Sequence, residues 1–260
     1  MKKIYSVLIV LALFGCSNDD DNDKKSANAG FLKSTSINGS LDESFDYRDG
    51  YLASANENSF FYGNYSYNNG NLYSMINDQQ VYFYEYDNHD NLKKRKLHAS
   101  SDYVELVYQA DKVVYLSHFE LEGNPETYQV ELRLNEEGKI IKTDFLEDQT
   151  SSNVEYQILT YDTAGNITQI TTKVFGGAEV VTTYQYDDKV NPYYNAFKKF
   201  YDETYLIEFA KPLNLINNYG LTPNNLTGIN GETINEFTYR DDYPVTLVDQ
   251  YGSTITFKYY

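Results

Sequence analysis

The 260-residue chain carries 38 acidic against 21 basic residues, a formal net charge of −17. Such a surface repels phosphate backbones and anionic lipid headgroups, which argues against nucleic-acid binding and against membrane attachment through basic patches. The single cysteine excludes an intramolecular disulfide, and with it a cysteine nucleophile or a cysteine-rich zinc site if that residue is consumed elsewhere. In chain order, the first element is Met1-Lys2-Lys3 followed by the apolar run Ile4 to Phe14. A basic start and a short hydrophobic stretch predict a secretory signal peptide over 1–15, since a bilayer span needs about 20 apolar residues. Residues 16–36 open with Asp19-Asp20-Asp21 and are poor in apolar side chains, which predicts a flexible acidic tether.

From residue 37 to 260 a weak internal repeat predicts one domain. Each copy is a strand ending in Tyr, a turn rich in Asp, Asn and Gly, and a second strand. The clearest runs Val154 to Tyr161, then Asp162-Thr163-Ala164-Gly165-Asn166, then Ile167 to Ile170. The anchors fall at Tyr47, Tyr67, Tyr86, Tyr108, Leu134, Tyr161, Tyr186 and Tyr239. Most gaps suit a β-hairpin and are too short for a βαβ crossover of roughly 30 residues or more. Gly and Asn supply the positive φ that tight hairpin turns require. Tyr128 to Leu134 alternates apolar with polar, one covered face and one wet. The composition, 28 Tyr and 14 Phe without Trp, suits half-buried pleated strands whose phenol hydroxyls reach water. The predicted fold is all-β: an antiparallel meander of eight or nine hairpins curled into an open or closed barrel-like sheet.

Residues 193–233 break the repeat and predict a late insertion. Ala196 to Tyr201 can form a short helix, and Pro212, Pro223 and the Asn-rich stretches read as loops. Phe197, Phe200, Leu213, Leu215 and Ile216 are expected to plug or cap the sheet.

Two resemblances add to this reading. Leu13-Phe14-Gly15-Cys16 resembles a bacterial lipoprotein signal, which implies acylation of Cys16 with palmitate-type chains. The following Ser17 to Asp23 resembles the acidic export tract of surface lipoproteins in the Bacteroidetes, which implies outer-membrane anchoring with surface exposure, or with a periplasmic face as the alternative. Loss of Lys2 and Lys3 would take the charge from −17 to −19. Tyr161 to Ile167 resembles the Tyr-Asp repeats of bacterial shell-forming proteins. Tyr186-Asp187-Asp188-Lys189-Val190-Asn191-Pro192 resembles a segment of uncharacterised Bacteroidetes lipoproteins with a porin-like β fold, the DUF4595 group. That likeness implies a fold and no catalytic residues.

Signals for chemistry are sparse. His89, His98 and His118 belong to no zinc-protease motif, and no nucleophile elbow, Walker loop or dinucleotide fingerprint is present. No catalytic residue, cofactor or metal ligand is assigned, although Asp87 to Asn91 and Asp187-Asp188 carry oxygens that could face Ca²⁺ without EF-hand spacing. Asp162-Thr163-Ala164 resembles an O-glycosylation site of the same phylum, at Thr163. The expected function is a non-enzymatic surface lipoprotein that binds a glycan or a protein, betrayed by an aromatic cluster on one face or in the insertion. The alternatives are an assembly accessory of an outer-membrane complex, with an exposed apolar patch, and a glycoside hydrolase, with a carboxylate pair in a cleft and one raised pKa.

Overall fold

The computed structural model describes residues 30–56, 58–59, 62–78, 80–145, 154–213, 215 and 222–260. The signal peptide 1–15, Cys16, the acidic tract and Ile216 lie outside the described residues. The first half of the sheet is β1 Leu32–Ile37, β2 Ser40–Arg48, β3 Tyr51–Ala55, β4 Gly63–Asn68, β5 Asn71–Ile76, β6 Val81–Tyr86, β7 Leu92–Leu97, β8 Tyr103–Tyr108 and β9 Lys112–Leu121. Then follow β10 Asn124–Leu134, β11 Ile140–Phe145, β12 Val154–Tyr161, β13 Ile167–Val174 and β14 Glu179–Val190. A single helix, α1 Pro192–Glu208, precedes β15 Asn224–Ile229, β16 Glu232–Thr233, β17 Asn235–Arg240, β18 Tyr243–Asp249 and β19 Thr254–Tyr259.

All nineteen strands form one antiparallel meander, and β19 pairs back onto β1, Thr35 opposite Phe257. The result is a nearly closed barrel with its strand edges consumed, which removes the aggregation hazard of an open edge. β16 and β17 lie in line on either side of Ile234, whose N–H donates to Thr227 O at 2.9 Å and carries the ladder across the interruption. The chain enters the sheet at Leu32, within the stretch expected to be tether. Leu32 is fully buried and the Thr35 hydroxyl donates to Glu43 inside the barrel, so a segment of low hydropathy is held by interior polar bonding. The insertion is likewise shorter than expected, because residues 224–233 belong to the sheet.

Two kinds of turn make the hairpins. Asn38-Gly39, Asp49-Gly50, Asn69-Gly70, Glu122-Gly123 and Asn230-Gly231 have positive φ at both positions, the geometry that matches strand twist in two-residue hairpins. The five-residue turns use a side chain instead. Asp87 Oδ1 accepts from the N–H groups of His89 (2.8 Å) and Asn91 (3.0 Å). Asn135 Oδ1 does the same for Glu137 and Lys139, and Asp249 Oδ1 for Tyr251 and Ser253. These acidic turns thus bind their own backbone.

The tyrosines explain the period. Four of the anchors sit at or next to the end of a strand, beside a register shift and directly opposite an apolar residue: Tyr47 opposite Leu52, Tyr67 opposite Leu72, Tyr86 opposite Leu92 and Tyr161 opposite Ile167. The bulge turns the rim inward. The anchor hydroxyl then reaches back to the carbonyl of the corresponding apolar residue one unit earlier. Tyr47 donates to Leu32 O, Tyr86 to Leu72 O, Tyr108 to Leu92 O, Tyr161 to Ile140 O and Tyr186 to Ile167 O, at 2.7–3.0 Å. These hydroxyls are therefore tied to the backbone rather than directed to water as expected, although Tyr108 itself stays exposed. Burial raises the pKa of each of them.

Helix α1 starts where Asn191 accepts from the N–H groups of Tyr193 and Tyr194 and Pro192 occupies the first turn. Its buried residues, among them Ala196, Phe197, Phe200, Thr204 and Ile207, recur at helical spacing. They fill the barrel. Phe197 meets Phe45 of β2 edge-on with centroids 5.5 Å apart, and Phe200 meets Tyr65 of β4 at 5.4 Å. Glu208 faces Arg95 of β7 at 3.8 Å. Beyond the helix, the Gln157 amide of β12 both donates to and accepts from the Leu213 backbone. One insertion thus touches strands all round the barrel, and the interior is a core rather than a channel.

The outer face carries ion pairs. Lys112 pairs with Glu131 at 2.6 Å, Lys142 with Asp144 at 2.5 Å, and Lys96 with Glu85. A lysine or arginine facing lipid costs about 2–4 kcal/mol at the membrane midplane and about 0–1 kcal/mol near its interfaces, so the Lys142 pair within β11 weighs against a lipid-facing band there.

Candidate functional site

Helix α1 leaves one cleft open at the barrel rim. Its volume is about 340 Å³, and it lies between the helix and the turns 135–139 and 162–166. The helix contributes Tyr194, Tyr201, Asp202 and Tyr205, the turns contribute Lys139 and Gly165, and the end of β12 contributes Tyr161. Residues 194, 198, 201, 202 and 205 share a helical face by their three- and four-residue spacing. Asp202 is held by the Lys198 ammonium at 2.8 Å, an exposed pair one turn apart.

The floor of the cleft is rigid. The Tyr205 hydroxyl accepts from the Ile140 N–H at 2.9 Å, the Tyr161 hydroxyl donates to Ile140 O at 2.7 Å, and the two phenol oxygens lie 3.2 Å apart. Burial raises both pKa values, so both phenols stay neutral at physiological pH. On the open side, Lys139 lies 3.1 Å from Glu137 and its ammonium sits 5.5 Å from the Tyr161 ring centroid. The cleft therefore offers aromatic faces, two carboxylates and one ammonium around a preformed hollow. Those groups can stack on a ring and exchange hydrogen bonds with hydroxyls.

The residues singled out from sequence fall in several places. Phe197, Phe200, Leu213 and Leu215 are buried as a plug. Thr163 is exposed at the tip of the turn 162–166, beside the cleft. The Asp162 carboxyl in that turn is pushed up by burial, but its bonds from Asn166 outweigh this and hold it below the ordinary range. Asp187 receives the N–H groups of Lys189 and Asn225 and the Tyr239 hydroxyl, so its oxygens hold the β14–β15 junction together. Among the described residues no group of three or more His, Asp or Glu side chains is arranged to hold a metal ion.

The histidines are dispersed. His89 lies in a turn, His98 meets Phe83 edge-on, and His118 stacks on Tyr103 at 4.3 Å with Nδ1 3.0 Å from the Thr127 hydroxyl. One described carboxyl, Glu43, is held above its ordinary range, chiefly by burial. It accepts from the Tyr193 hydroxyl at 2.5 Å and from Thr35 at 3.1 Å. Neither partner is a second carboxylate, and Glu43 does not line the cleft.

Sequence reading pointed to the insertion but not to Tyr194, Tyr205 or Lys139. The available signal was Asn191-Pro192, a capping residue followed by a first-turn proline, which starts the helix early enough to place Tyr194, Tyr201 and Tyr205 on one side.

No known protein family matches the chain, so neither the DUF4595 resemblance nor the Tyr-Asp repeat resemblance gains support there. No curated protein matches it either. Among solved structures, a porin-like protein from Bacteroides vulgatus is similar at 9% identity, over 88% of this chain and 98% of that one, with a TM-score of 0.40. A second porin-like protein, from Bacteroides uniformis, is similar at 12% identity, over 72% of this chain and 93% of that one, with a TM-score of 0.31. Similarity at this level establishes neither a common family nor a common function.

Proposed function

We propose that this protein is a non-enzymatic lipoprotein of the bacterial outer membrane, exposed at the cell surface, and that its α1 cleft binds a glycan. The observation that carries the reading is the cleft itself, about 340 Å³ with three helix tyrosines, Tyr161, Asp202 and Lys139 around it. That volume lies within the range of small-ligand sites. A sugar ring presents C–H faces to aromatic side chains and hydroxyls to carboxylates and ammonium groups, which is the mixture found here. The buried phenols Tyr161 and Tyr205 are fixed before ligand arrives, so little ordering entropy is lost on binding.

Anchoring through an acylated Cys16 accords with the water-facing exterior, because a charged barrel needs another means of attachment to a membrane. Thr163, exposed in its turn, is a candidate for O-glycosylation.

The test is thermal stability of the full mature chain against soluble xylan, β-glucan, mannan, amylopectin and pectin. A ligand at 100 times its Kd adds about 2.7 kcal/mol of apparent stability. A glycan-specific rise in Tm that Tyr194→Ala abolishes supports the reading. No shift with any polysaccharide contradicts it.

A further inference from the structure

The sequence holds three Asn-Gly pairs, Asn38-Gly39, Asn69-Gly70 and Asn230-Gly231. In such a pair the glycine backbone nitrogen can attack the asparagine side-chain carbonyl carbon, because the glycine carries no side chain to obstruct the approach. All three pairs close hairpins with the same backbone. The φ angles are 49°, 51° and 53° at the asparagines and 87°, 85° and 85° at the glycines. All three asparagines are exposed. Turn conformation and solvent access therefore do not separate them.

Their neighbouring strands do. The Asn38 N–H donates to Thr254 O at 2.8 Å, and the Thr254 N–H donates to Asn38 Oδ1 at 3.0 Å. Asn230 repeats this with Thr183, at 2.9 Å in both directions. Each of these asparagines adds a rung to the ladder beside its hairpin, one step past Ile37 opposite Ile255 and one step past Ile229 opposite Tyr184. A second strand thus holds both the backbone and the side-chain carbonyl. The Asn69 turn lies beyond the ladders on either side of it. β4 pairs with β3 only at Gly63 and Asn64, and β5 pairs with β6 only from Ser74 to Ile76. The Asn71 amide donates to Asp90 Oδ1 at 3.3 Å, a bond outside the reacting pair.

We propose that Asn69 is a site of spontaneous deamidation, and that the flanking strands protect Asn38 and Asn230 from the same reaction. The Gly70 nitrogen bonds to the Asn69 side-chain carbonyl carbon. The bond from that carbon to the side-chain nitrogen breaks, and ammonia leaves with the proton that the Gly70 nitrogen gives up. One water molecule then opens the succinimide ring to aspartate or isoaspartate. For the attack, the Asn69 side chain must swing onto the next peptide nitrogen, out of the native turn. At Asn38 and Asn230 that motion breaks two further hydrogen bonds, so the open form is rarer. Either product adds a negative charge at the rim, and isoaspartate lengthens the backbone of a turn built for two residues.

The experiment incubates the full mature chain at mildly alkaline pH, once folded and once in guanidinium chloride. The three Asn-Gly peptides are then followed by mass spectrometry after digestion in acid. In the folded protein the Asn69 peptide should gain one mass unit, as aspartate and isoaspartate forms, about tenfold or more faster than the other two. In denaturant the ladder is gone, and the three rates should converge. Asn38 or Asn230 reacting as fast as Asn69 in the folded protein overturns the proposal. A preference for Asn69 that persists undiminished in denaturant also overturns it, because local sequence rather than the fold would then set the rate.

Discussion

Removing single hydroxyl groups tests the account of the repeat. In Tyr161→Phe the Ile140 carbonyl loses a donor at 2.7 Å and the Tyr205 hydroxyl loses a neighbour at 3.2 Å. A buried acceptor left unsatisfied costs about 1–3 kcal/mol. At about 2–4 °C per kcal/mol for a domain of this size, Tm should fall by roughly 2–12 °C. Tyr67→Phe removes a hydroxyl from the equivalent place in another copy, but that hydroxyl is buried without a partner. Its loss removes a desolvated polar group and should leave Tm unchanged or raise it. Differential scanning calorimetry of the two variants beside the wild type gives the comparison within one fold and one chemistry. Equal losses in both would refute the idea that the hydroxyl-to-carbonyl ties, rather than ring packing, hold successive hairpins together.

Other predictions follow from the plug, the buried carboxyl and the anchor. Phe197→Ala should cost about 3–5 kcal/mol in urea denaturation, since its ring is buried against Phe45 and Tyr193; a loss below about 1 kcal/mol would mean that the helix is not part of the core. Asn191→Ala should cost about 0.5–2 kcal/mol by the same assay through loss of the helix cap, and a neutral result would count against that cap. Glu43 has a folded pKa raised above the ordinary 4.5, chiefly by burial, so its favourable contribution is present below pH 4.5 and is lost as pH rises through the folded value. The stability of Glu43→Gln relative to wild type should therefore rise from pH 4 to pH 7, and a flat difference would refute the assignment. Cys16→Ser should move the protein from the membrane fraction to the soluble fraction, and retention in membranes would contradict the lipid anchor.

Much of the fold was legible because the repeat is written in the residues that make it. Tyr at a strand end, Asn-Gly or Asp at the turn and an apolar residue at the exit are each required by a specific bond or a specific φ. The destination of the phenol hydroxyl was not legible, since Tyr47 to Leu32 is a diagonal contact between units and leaves no trace in local alternation. Leu32 to Ser36 reads as tether because it is rich in serine and threonine, whose interior bonding depends on Glu43 being brought close. The insertion was recognisable as a plug from Phe197 and Phe200, but its helix was read too short. Asn191-Pro192 marks a helix start only once the preceding strand is known to stop at Val190. The cleft was harder still. Lys139 and Tyr161 lie far from Tyr194 and Tyr205 in sequence and meet because the barrel closes around the helix.

The central claim is that the rim beneath α1 is the place where a glycan binds. Hydrogen–deuterium exchange of the mature chain, with and without the polysaccharide that gives the largest Tm shift, tests it most directly. The account predicts slowed exchange confined to the turns 135–139 and 162–166 and to residues 194–209. Protection confined to the opposite rim, around 98–102 and 122–123, would contradict it.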